Sequence, residues 1–332
     1  MLGLSLLLVA VAGTLAVRWL LSPVDLGPRS RPRATGSAPR AAEPRPAALR
    51  PPAPRGQGSG RLPAIDPSLP LYIGPTRRLA AQAIDDTAGS TLNQALIGLA
   101  RRSLGRPSST DPLDQQPTER LRLDLVHVDG LRFLEQLLAL VNSRQVKTRT
   151  EAVDRFSDHV RQLRYEGGEV AYCRRHHYFS RWAQAAERQG YLVNLTPFLP
   201  GAQQRRRPLT ILSSHPERHR PMRQPANRIC ITALEKTLAV DQAYVPLAGL
   251  SAVLPSLRSG DIVAFVTRRP GLDVSDTGVV DVTGRQINAI HTTAAPGVIR
   301  SQELTRRSRE IDGVIGLAFY RPIPNSDGQA NR

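Results

Sequence analysis

The chain has 332 residues, 40% of them hydrophobic, enough for one large or two small domains with a buried core. Its 45 lysines and arginines outweigh 28 aspartates and glutamates, for a formal net charge of +17. That balance favours polyanions (nucleic acid, anionic lipid or acidic wall polymer) without choosing among them. The two cysteines, Cys173 and Cys230, exclude a multi-disulfide scaffold and lack zinc-ligand spacing; one disulfide in an oxidising compartment stays open.

Residues 2–17 form an uncharged apolar run, which Arg18 interrupts and Trp19, Leu20 and Leu21 extend. It is long for the core of a signal peptide and short for a membrane span. Residues 1–22 therefore read as a signal peptide or a membrane anchor. Residues 23–70 are Pro, Arg, Ala and Gly with almost no large apolar side chains. Such a stretch buries too little surface to offset its ordering entropy and reads as a disordered linker. Within residues 28–63, Arg29, Arg31, Arg33, Arg40, Arg45, Arg50, Arg55 and Arg61 stand against only Glu43, so adhesion to an anionic polymer is the alternative to a plain spacer. From Leu71 the composition is globular. Residues 71–322 read as one domain and 323–332 as a flexible tail.

Within the domain, residues 92–104 have apolar side chains at helical spacing and stop at Gly105. Leu134, Leu137, Leu138 and Val141 predict a helix over 131–141, with Asp129 placed to cap its first turn. A further helix spans 149–163, and Tyr165 to Gly168 is a turn. Residues 201–227, polar and basic, read as an exposed excursion. From Ile229 the period changes. ICITAL, then Tyr244-Val245-Pro246, GDIVAFVT, TGVVDV, INAIHTT and GVIGLAFYRP read as short strands. Helices followed by strands predict an α+β fold, the helices packed on one antiparallel sheet or half-barrel.

Four stretches carry a resemblance. Asp129-Gly130-Leu131-Arg132-Phe133-Leu134-Glu135, with Leu138-Ala139-Leu140, follows the pattern D-C-x-T-F-V-E-x-x-L-A-L except at its cysteine. Pro112, Leu113, Asp114, Pro117 and Glu119 fit a P-L-D-x-x-P-x-E lead-in. Arg175, His177, Tyr178, Phe179, Ser180 and Trp182 fit R-x-H-Y-F-S-x-W. Residues 260–278 fit G-D-I-x-A-x-V-x-x-x-x-G-L-D-V-S-H-x-G except at the histidine, where Asp276 stands. Over roughly residues 92–322 the chain resembles the N-acetylmuramoyl-L-alanine amidase-like family, domain of unknown function 1460. This is a bacterial envelope family with the papain-like fold of NlpC-type cell-wall cysteine peptidases. The resemblance implies that fold and places Gly130 at the nucleophile, Asp276 at the base and His291 at the group that orients the base.

A papain-like hydrolase needs a thiolate, an imidazole that shares its proton and a third group holding that imidazole. Glycine supplies no thiolate, and an aspartate does not perform imidazole's two-way proton transfer near neutral pH. The resemblance thus implies an exported, catalytically silent protein. It would bind peptidoglycan peptide, or an envelope protein, through the old cleft. Candidate cleft residues are Asp129, Glu135, Arg175, His177, Tyr178 and Asp273; His176 is left outside. Three arrangements would keep an active hydrolase. Cys173 could be a relocated nucleophile, Asp276, His291 and His177 could hold a metal, and Asp129 with Asp276 could act as a carboxylate pair, as in sugar hydrolysis. A polyanion binder driven by the arginine-rich linker is the remaining reading. The leading expectation has no cofactor or metal, muropeptides rather than nucleic acid as partner, membrane contact through the N-terminal segment, and a location in the cell envelope, periplasmic or extracytoplasmic.

Overall fold

The computed structural model describes residues 66–109, 113–127, 129–144, 146, 148–293 and 300–325. The expected signal or anchor, nearly all of the linker and most of the tail lie outside them. The described fold begins slightly before Leu71: the Leu121 amide donates to the Pro67 carbonyl at 3.1 Å.

In chain order the first half runs β1 (Leu71–Tyr72), α1 (Thr76–Asp85), α2 (Leu92–Arg102), β2 (Arg122–Leu123), α3 (Gly130–Asn142), α4 (Arg149–Arg164) and α5 (Phe179–Arg188). The second half runs β3 (Leu192–Asn194), β4 (Gln203–Pro208), α6 (Ile211–Ser214), α7 (Pro225–Thr237), β5 (Ala239–Pro246), α8 (Leu250–Val253), β6 (Ile262–Thr267), β7 (Val274–Thr283), β8 (Gln286–His291), β9 (Arg300–Glu303), α9 (Leu304–Glu310) and β10 (Val314–Pro322). The fold is α+β. Helices α1 to α5 make one layer. Strands β3 to β10 form an antiparallel sheet in the order β4-β5-β10-β6-β7-β8-β9, with β3 also pairing with β10, while β1 and β2 make a separate parallel pair.

The sheet is covered on both faces, which explains why β6 reads as an unbroken apolar run, IVAFVT, buried throughout. Its side chains alternate. Ile262, Ala264 and Val266 join the helical core with Leu134, Leu138, Phe156 and Trp182. Val263 and Phe265 pack on the opposite face with Leu250, Val253 and Leu304. Helix α3 packs against α2, α4 and β7. It is buried nearly all round, which is why its sequence is apolar beyond one stripe.

Two expectations are corrected. Residues 229–234 are not a strand but the middle of α7. Its β-branched isoleucines imitate a strand, yet its buried side chains are Ile231 and Glu235, one helical turn apart, while Ile229 is 71% exposed. Pro225 opens the helix in its first turn, where proline is accommodated. Nor is 201–227 an open excursion. Strand β4 pairs along its length with β5, and Leu209, Leu212 and Met222 pack with Tyr172, Tyr178 and Ile231 in a cluster of their own. Strand β4, reading Gln-Gln-Arg-Arg-Arg-Pro, is one edge of the sheet.

Candidate functional site

Gly130 is the first residue of α3 and follows Asp129 in extended conformation. The Asp129 side chain makes no capping bond. Its Oδ2 instead accepts from Arg132 Nε at 2.6 Å, with Nη2 of the same guanidinium 2.5 Å away in an ion pair. A guanidinium one turn along competes successfully for the carboxylate, so the expected cap is an ion pair. Gly130 does not need its glycine for backbone reasons, because its φ is not positive. A Cβ built there would meet no atom within 4 Å. The helix therefore opens on a vacant spot that a small side chain would fill without strain.

Strand β7, against which α3 packs, carries Asp276, and β8 lies antiparallel beside it with His291 opposite Gly278. A Cβ at position 278 would sit 2.7 Å from the Ile290 carbonyl oxygen, so only glycine allows this approach of the strands. His291 Nδ1 lies 3.2 Å from Asp276 Oδ2 and 3.2 Å from its neighbour's carbonyl, Thr292 O. Two acceptors at Nδ1 place the imidazole proton there. Nε2 is buried without a partner. Arg307 of α9 donates to the same Asp276 oxygen at 3.4 Å, and the Thr277 amide donates to Oδ1 at 2.8 Å. Asp276 is thus a carboxylate held by a guanidinium, an imidazole and an amide.

The other candidates serve as joints of the scaffold. Glu135 is sealed against Arg164, with Nε at 2.8 Å and both side chains almost wholly buried. Arg175, 6% exposed, bonds Asp114, lies 3.7 Å from Glu119 and stacks over Tyr172 at 4.9 Å. Burial alone would raise the Asp114 carboxyl, but Arg175 and then His219 outweigh it and hold it well below the usual carboxylate range. His177 donates from Nε2 to the Tyr172 carbonyl at 2.8 Å, and burial lowers its imidazole to about 3. The Tyr178 hydroxyl donates to Glu235. Asp273 accepts the Ser180 amide at 2.6 Å and so caps α5 from another part of the chain. The structure brings Asp276 and His291 together, and gathers Arg175 and His177 around Asp114 and Tyr172. Arg307 was not foreseen; it lies 31 residues beyond Asp276 in a basic stretch with no pattern to mark it.

Two alternatives lose their footing. Cys173 is bonded to Cys230, tying α7 to the turn at 172–174, so it is no free thiolate. Among the described residues no group of three or more His, Cys, Asp or Glu is placed to hold a metal.

His176, expected outside the cleft, is 2% exposed; its Nδ1 lies 4.0 Å from Glu166, and among the described residues neither ring nitrogen has a hydrogen-bond partner. Burial lowers it from 6.5 to about 4. The unfolded chain then takes up a proton before the folded one. This stability is complete above pH 6.5 and is lost as pH falls through about 4. The loss is on the order of 3 kcal/mol. His177 adds in the same direction. Urea midpoints at pH 7.5 and 4.5 should therefore converge for His176→Phe relative to the wild type; an unchanged acid loss would remove His176 as its source.

The family model described as AmiA-like, N-acetylmuramoyl-L-alanine amidase-like, matches residues 99–312, more than half of the chain. The chain belongs to this amidase-like family. Among solved structures, an N-acetylmuramoyl-L-alanine amidase from Bacteroides uniformis superposes with TM-score 0.64 at 23% identity, covering 70% of this chain and 99% of that one. A Bacteroides fragilis protein provisionally named a xylanase gives 0.62 at 26% identity, covering 68% and 99%. A Legionella pneumophila protein of domain of unknown function 1460 gives 0.61 at 14% identity, covering 75% and 94%. No curated protein matches the chain. At such identities most of these likenesses speak for the fold alone.

Proposed function

We propose that this amidase-like chain is an exported, catalytically silent protein that binds the peptide part of peptidoglycan through the cleft at the start of α3. One observation carries the reading: Gly130 leaves open space at the head of a helix packed on β7, whose Asp276 is held by His291 and Arg307. A nucleophile's place without a nucleophile, on a helix packed against the strand that bears a fixed carboxylate, suits retention of a ligand rather than its cleavage. The Cys173–Cys230 disulfide supports an oxidising compartment, and hence export. Among the described residues no helix is long and apolar enough to cross a membrane. Membrane contact would thus fall to residues 1–22.

The test is incubation of the purified protein with muropeptides, followed by mass spectrometry and by binding calorimetry at two salt concentrations. No amide hydrolysis is expected, together with binding that survives added salt. Turnover abolished by His291→Ala would overturn the silent reading. Binding that collapses with salt would assign it to counterion release by the arginine-rich segment. Gly130→Cys alone should stay inactive, because the family's base position holds Asp276 rather than the imidazole a thiol needs to share its proton.

A further inference from the structure

Helices α1, α2 and α3 leave a pocket of 180 Å³ between them. Leu79 and Ala83 of α1, Leu99 of α2, and Phe133, Leu137 and Leu140 of α3 line it with carbon. An apolar cavity of about 150 Å³ is large enough to take benzene. Arg102, the exposed last residue of α2, and the half-buried Arg106 just beyond it belong to the same lining. Arg106 Nη1 donates to the Leu125 carbonyl at 2.8 Å. Among the described residues neither arginine is paired with a carboxylate.

Two acids, Asp86 and Asp124, also line the pocket, and neither bonds these arginines. Asp124 is engaged in its own turn, accepting from the amides of Val126 at 2.9 Å and His127 at 3.0 Å and facing the His127 ring. Asp86 is exposed. Burial lowers the proton affinity of Arg106, and Arg102 beside it lowers it further, as an unmatched pair of like charges would. Gln82, Ser103 and Gln136 add neutral polar groups to the lining, and a pocket with an apolar side and two arginines free of carboxylate bonds is complementary to an amphiphile with a single anionic head.

We propose that this pocket binds a small carboxylate with a short aliphatic tail. The tail lies among Leu79, Leu99, Phe133 and Leu137, and the carboxylate meets Arg102 and Arg106. The site is separate from Asp276 and His291, since no lining residue belongs to β7 or β8. It does not depend on the cell-wall reading, and either can fail alone.

The experiment titrates octanoate into the full chain at physiological salt, by calorimetry and ligand-observed NMR. Saturable binding at one site is expected. Octan-1-ol, with the same tail and no charge, should bind more weakly. Arg102→Gln with Arg106→Gln should weaken octanoate roughly tenfold or more. Ala83→Trp should block the chamber while keeping both charges. Urea midpoints establish that each variant is folded; should Ala83→Trp unfold, the double arginine variant decides. Absence of saturation up to about 10 mM would overturn the proposal. So would binding unchanged in the double arginine variant, which would place octanoate elsewhere on this basic chain.

Discussion

Glu135→Ala is expected to destabilise the domain by about 3–5 kcal/mol, because it strands the buried Arg164 guanidinium without its counter-charge. Arg164 Nε bonds Glu135 at 2.8 Å, and its Nη1 also reaches the Arg122 carbonyl at 2.7 Å. The pair thereby locks α3 to α4 and to the strand that precedes α3. Two charges in an apolar layer are costly together and far costlier apart. The companion variant, Glu135→Leu with Arg164→Met, should recover most of the loss, since an apolar pair replaces the buried ions. Urea unfolding of the wild type and these two variants reads the effect. A Glu135→Ala protein of wild-type stability that had lost only muropeptide binding would return Glu135 to the cleft.

Removing the disulfide should cost nearly as much. Cys173 and Cys230 are separated by 57 positions. Closing a loop of that length restricts the unfolded chain by about 4 kcal/mol in the chain-entropy account. Cys173→Ser with Cys230→Ser, or reduction of the wild type, should lower the urea midpoint by a matching amount. The loosened part should be the cluster of Leu209, Leu212, Met222 and Ile231, which hydrogen exchange would detect first. A midpoint unmoved by reduction would show that the bond does no structural work. The crosslink also turns Cys173 from a candidate nucleophile into a staple.

The parts of the fold that could be read from sequence are those where one force dominates. Strands β6, β7, β8 and β10 are dense in β-branched and aromatic residues because the sheet is buried on both faces, and the turn residues between them are explicit. Helices α2, α3 and α4 show their spacing for the same reason. Helix α7 was misread because its isoleucines outweigh a helical pattern that rests on few buried positions. In the site, the glycine and the aspartate were visible as departures from a pattern, but their surroundings were not. Nothing local indicates that Arg307 folds back onto Asp276, or that Arg132 draws Asp129 away from the helix end. Arg175, His177 and Asp273 read as cleft residues because they fall in motifs of the resembling family. Here such side chains also bind backbone and one another across chain separations that spacing does not report.

The outer strand β4 bears on how copies of this protein behave toward each other. An exposed sheet edge is a template for another strand, and runs of edge-to-edge addition lead to aggregation. This edge presents three consecutive arginines, and Arg205 and Arg207 drape their guanidiniums over the Thr267 carbonyl while Arg206 pairs with Asp241. A second chain approaching it in register would bring the same cations face to face, and Pro208 ends the strand without an amide to offer. The charge that looks like an invitation to polyanions is also a barrier to strand addition at this edge.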